Sequence, residues 1–116
     1  MLPTDWVYGG WAASGEIGIL EAVNVADTVH GTLHYGGEWP DNQNSGCAYN
    51  AGGVINFGDD FYTYAIEWEP SEFRWYVDGH LFCTRTNDIW FSVCRLFTSH
   101  ASDELLCVCL CSRSFC

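Results

Sequence analysis

The chain has 116 residues, enough for one domain at most, and carries 4 Lys and Arg against 15 Asp and Glu, a net charge of −11. That charge argues against nucleic-acid binding, which needs clustered cations, and against an anionic membrane surface. It suits plain solubility, and a neutral polymer such as a polysaccharide is the partner class it fits best.

Composition favours a sheet protein, since aromatic and β-branched runs are broken by Gly, Asn and Asp. The N-terminal MLPTDWVYGG has no basic n-region or apolar h-region and does not read as a signal peptide. No apolar run is long enough to span a bilayer. Residues 15–23 and 28–35 read as strands joined by the turn-like NVADT. The first of them, GEIGILEAVN, holds two carboxylates, Glu16 and Glu21. Strict alternation would send these to opposite faces. One extra residue at Ile19-Leu20, a β-bulge, would return Glu21 to the face of Glu16.

Residues 35–53 are crowded with Gly, Asn, Asp and Pro and read as a long loop. Short strands are then expected at 53–57, 61–70, 72–80 and 81–86. Asp78-Gly79 has the chemistry of a hairpin turn with φ > 0 at both central positions. Tyr64, Ile66 and Trp68 alternate with Thr63, Ala65 and Glu67, so one face is buried and the other partly wet. No helix of credible length is expected before residue 90. The class is all-β, a sandwich or barrel of short antiparallel strands.

After Trp90 the strand-turn rhythm stops, and nothing in the pattern accounts for the tail, 91–116, as part of a sheet. Five cysteines fall there (Cys94, Cys107, Cys109, Cys111 and Cys116), with Cys47 and Cys83 earlier. An odd total leaves at least one thiol outside any intramolecular pair. CVCLC does not have zinc-finger spacing.

Two glutamates aimed at one groove are the equipment for glycosidic bond cleavage: one protonates the leaving oxygen, the other attacks the anomeric carbon or activates water. On a strand their Cα atoms would lie roughly 13–16 Å apart. Both side chains must therefore lean inward to reach the ~5–5.5 Å of a retaining pair. Solvated glutamates, one per face, are the plainer reading of the same spacing.

The blocks SGEIGILEAVN, HGTLHYGGEWPDN, YTYAIEWEPSEFRWYVDG and LFCT, in this order, resemble glycoside hydrolase family 16, above all its laminarinase group, the endo-β-1,3-glucanases. The resemblance covers about residues 1–90. It implies a β-jelly roll of the concanavalin A-like type with the sugar chain in a groove. It also implies Glu16 as nucleophile, Glu21 as acid/base and a β-glucan such as laminarin as partner. The family signature is Glu-x-Asp-x-x-Glu, and its middle Asp is Gly18 here. That carboxylate would tune its neighbours' pKa values, so its loss predicts impaired activity.

Trp11, His34 and Trp39 resemble family positions at the sugar subsites. Trp11 has a core reading too, and His34 that of a partnered strand histidine. Core packing is expected for Trp68, Trp75 and Trp90, and His30 receives no role. No cofactor is expected. Calcium occurs in some complete family domains, but none of its ligands can be carried over to this chain. The resemblance implies an extracellular or periplasmic setting.

It further implies a fragment, incomplete at both ends, with 1–90 as a partial jelly roll. Aromatic side chains of 61–77 would then have nothing opposite them, and the chain alone would be marginally stable or aggregated. Two other functions compete: a non-catalytic β-glucan-binding jelly roll, favoured by Gly18, and a non-functional truncated or frameshifted product, favoured by the tail.

Overall fold

The computed structural model describes residues 1–24, 27–69 and 72–86, and the backbone of 106–112. Trp90, Cys94 and Cys116 lie outside the described residues. The first sheet holds β1 (Glu16–Glu21), β2 (Thr28–Tyr35) and β3 (Gln43–Asn50) in the order β1-β2-β3. The second holds β4 (Tyr62–Glu69), β5 (Glu72–Val77), β6 (His80–Thr86) and β7 (Leu106–Ser112) in the order β6-β5-β4-β7. Every pairing is antiparallel and no helix occurs among the described residues, so the all-β sandwich expectation holds.

The Asp78-Gly79 hairpin forms as its chemistry predicts, with φ 46° at Asp78 and 77° at Gly79. β4 buries Tyr64, Ile66 and Trp68, and β5 buries Phe73, Trp75 and Val77. These rings do have something opposite them, contrary to expectation. Ile17, Ile19, Val29, Leu33 and Tyr35 of the first sheet share their core. Phe73 stacks between Trp68 and Trp75, at centroid distances of 5.7 and 5.9 Å.

Three segments depart from the sequence reading. The loop assigned to 35–53 contains β3, which pairs with β2 from Tyr35↔Gln43 to Thr28↔Asn50. Its polar residues misled because β3 is an edge strand with a wet outer face. Its Gly46 is a close-approach glycine, since a Cβ there would lie 2.1 Å from the Gly31 carbonyl oxygen.

Conversely, 53–57 is not a strand. Val54 is exposed, and the Asn56 side chain accepts from Gly58 N at 3.0 Å, folding the backbone into an Asx turn. In the tail, the backbone of 106–112 pairs with β4 as β7. The seven-residue apolar alternation was hidden by its cysteine content.

A disulfide, Cys47–Cys83, joins β3 to β6 and so ties one sheet to the other. Beside it, Arg85 Nε donates to Ser45 Oγ at 3.0 Å. The sequence showed the two cysteines but not their pairing.

On the outer face of the second sheet, Arg74 is ringed by Glu67, Glu69 and Glu72, with Nε 2.8 Å from Glu67. The Tyr76 hydroxyl and then the Arg74 guanidinium hydrogen-bond to Glu67 and hold its carboxyl below the ordinary 4.5. A depressed folded-state value adds stability above 4.5 that is lost as pH falls through the depressed value. Melting temperature should therefore drop on acidification more steeply in the native chain than in Glu67→Gln. Parallel acid limbs would show that the ring adds nothing.

Candidate active site

The site is built on one irregularity of β1. Glu16 lies opposite His34, Ile17 opposite Leu33 and Gly18 opposite Thr32, but the next pair is Glu21 with His30. Three steps along β1 are matched by two along β2, so one extra residue is accommodated at Ile19-Leu20. This is the bulge that the spacing of the glutamates required. On β2, Val29, Leu33 and Tyr35 are buried against the second sheet, so His30, Thr32 and His34 face away from it. Their partners Glu16, Gly18 and Glu21 share that outward face.

A chain of contacts links the two carboxylates. The Trp11 indole N–H donates to Glu16 Oε2. The Trp11 ring lies against the His34 ring with centroids 5.4 Å apart. His34 Nε2 is 3.3 Å from Glu21 Oε1, and Thr32 Oγ1 donates to Glu21 Oε2 at 3.2 Å. His34 Nδ1 is buried without a hydrogen-bond partner. An orphaned acceptor is less costly than an orphaned N–H, so the ring proton belongs on Nε2, where it donates to Glu21.

Trp11 is more than a third exposed, at 36%, which removes its core reading and leaves a flat ring beside Glu16. Trp39 is exposed and is not among the described hydrogen-bond partners of either carboxylate. It reaches the site through the main chain, its N–H donating to the Trp11 carbonyl at 3.1 Å. The same two loops are tied by Gly10 N–H to Glu38 Oε1 at 2.6 Å. His30 is exposed at the strand end.

The bulge is anchored from below. Trp75, fully buried in β5, donates its indole N–H to the Gly18 carbonyl at 3.0 Å. Gly31 makes room for this ring, because a Cβ there would come within 2.4 Å of it. Trp75 is core, as expected, and also a cross-sandwich prop for the strand that carries both glutamates.

Sequence reasoning missed Thr32 and this second role of Trp75. Thr32 could have been found, since it lies one period-two step from His34. No three His, Cys, Asp or Glu side chains among the described residues are arranged to hold a metal ion, so no step is assigned to calcium.

The family described as "Glycosyl hydrolases family 16" matches residues 4–97. The chain is 47% identical over 93 residues to a "Glucan endo-1,3-beta-glucosidase A1" of Niallia circulans, covering 79% of this chain and 14% of that protein. It is 39% identical over 100 residues to a "Beta-glucanase" of Rhodothermus marinus, covering 76% and 31%. It is also 39% identical over 90 residues to a "Beta-1,3-glucan-binding protein" of Penaeus monodon, covering 70% and 24%. The chain thus spans less than a third of the length of each of these relatives.

Proposed function

The chain belongs to glycosyl hydrolases family 16, and from that premise we propose that it cleaves internal β-1,3 or mixed β-1,3/1,4 glucan bonds with retention at the anomeric carbon. The observation that carries this reading is the bulge between Gly18 and Glu21, which turns Glu16 and Glu21 outward together.

In the first step Glu16 attacks the anomeric carbon. The glycosidic C–O bond breaks as Glu21 gives its proton to the leaving oxygen, and a glycosyl ester forms on Glu16. In the second step Glu21 takes a proton from water, the water oxygen attacks the same carbon, and the Glu16 ester bond breaks. Trp11 supplies a donor to the Glu16 carboxylate and a flat face for a pyranose ring. Trp39 extends that face at the neighbouring loop, and His34 lies between the Trp11 ring and the Glu21 carboxyl.

A glycine at position 18 leaves the pair without a third carboxylate. Hydrolysis is therefore slow, by about tenfold to a hundredfold on the scale of a lost orienting group. The Cys47–Cys83 bridge supports action in an oxidising compartment, outside the cell or in the periplasm.

Digestion of laminarin by the purified chain tests the proposal. Slow release of a ladder of oligosaccharides, an internal-cut pattern, is the expected result. Release of glucose alone, or binding with no new reducing ends even for Gly18→Asp, would contradict it. The second outcome would favour a glucan-binding protein without hydrolysis. The contacts that draw Glu21 back onto β2 support that second reading.

A further inference from the structure

Position 18 is more than a missing carboxylate. A Cβ built there would stand 2.3 Å from Glu21 Oε1 and 3.2 Å from its carboxyl carbon. The Glu21 carboxyl therefore fills the volume that any side chain at 18 would need. It is held there from the β2 side, by the Thr32 hydroxyl at 3.2 Å and the His34 Nε2–H at 3.3 Å. Beneath it, Gly18 cannot retreat, because Trp75 grips its carbonyl from the core.

We propose that Thr32 and His34 are positioning residues that hold Glu21 in a resting seat over Gly18, and that Glu21 must leave this seat to act on a bound glucan. The kinetic half of this inference rests on Glu21 being the acid/base. The geometric half does not.

The resting seat and the glycosidic oxygen compete for Glu21. A carboxylate that accepts two hydrogen bonds in its resting place gives them up, and takes a proton from solvent, to reach a glycosidic oxygen as an acid. A hydrogen bond to a charged group is worth about a tenfold bias or more. Closing the seat, or removing one of its donors, removes that bias and raises the fraction of Glu21 free to turn outward. The effect belongs in kcat rather than KM.

Two variants test the seat by different routes. Gly18→Ala fills it without adding charge. The new methyl also sits 3.0 Å from the Thr32 carbonyl oxygen, so the strand must yield slightly, and this variant could fold poorly. Thr32→Val removes one donor at nearly constant volume and has no such risk.

The structural readout is the imidazole nitrogen spectrum of His34, which reports directly which nitrogen carries the proton. In the native chain the Nε2–H form should dominate. In Gly18→Ala, with Glu21 evicted, that preference should weaken, while in Thr32→Val it should persist. The kinetic readout is laminarin hydrolysis by the full chain. Both variants should raise kcat, by about tenfold for Gly18→Ala and several-fold for Thr32→Val, with KM within twofold.

An unchanged His34 spectrum in folded Gly18→Ala would overturn the seat. So would a kcat in Thr32→Val equal to or below that of the native chain, given native hydrolysis. If the spectrum shifts as expected but neither native chain nor variants hydrolyse glucan, the seat stands and the catalytic reading of Glu21 fails.

Discussion

Glu16→Gln should lower kcat/KM on laminarin by at least about a thousandfold, in the native chain and equally in a Gly18→Asp background. The size follows from what is removed. The amide cannot form the glycosyl ester, so the whole double-displacement route closes and only a solvent reaction is left. The change is nearly isosteric, and Glu16 is partly exposed on the outward face, so the fold should tolerate it.

Glu21→Gln should behave differently. It removes a proton donor, which matters most when the leaving group is a sugar oxygen. Cleavage of an aryl glucoside with a good leaving group should therefore lose far less than laminarin hydrolysis in the first step. Initial rates on the two substrates separate these roles. Equal losses for both variants on both substrates would assign the glutamates to binding, not to distinct chemical steps.

Breaking the bridge between the sheets should have the largest effect on stability. Cys47 and Cys83 are 36 residues apart in sequence, and closing a loop of that size in the unfolded chain corresponds to about 4 kcal/mol. For a chain of this size that is a fall in melting temperature of about 16 °C. Cys83→Ser, which keeps a small side chain at a buried site, should show that fall in a thermal melt. The native chain under reducing conditions should follow it. A melt insensitive to reductant would mean that Arg85 and the shared core carry the joint between β3 and β6 without the disulfide.

The parts of this architecture legible in the sequence were those written in local chemistry. Asp78-Gly79 sets its own turn, and the alternation through Tyr64, Ile66 and Trp68 marks a half-buried strand whatever surrounds it. The bulge could be inferred because two carboxylates at an odd spacing make sense on one face only if one residue is extra.

What stayed hidden depends on distant neighbours. β3 looks like a loop because it is an edge strand, and its Gly46 answers to the backbone of β2 rather than to a turn. The bond from Trp75 to Gly18 spans 57 residues of sequence. Period two puts Thr32 on the face of His34, but only the register sets it beside Gly18. Likewise, a substitution that reads as a lost carboxylate is, in three dimensions, a space that another carboxylate fills.

Retention at the anomeric carbon requires Glu16 and Glu21 to work as a pair from one face of the bulged strand. Proton NMR of laminarin digestion, followed from the first minutes before mutarotation levels the signals, tests it most directly. With the Gly18→Asp chain to supply rate, new reducing ends should appear first as the β-anomer and only later equilibrate. First products in the α form would mean inversion, with water rather than Glu16 at the anomeric carbon, and would contradict the assignment.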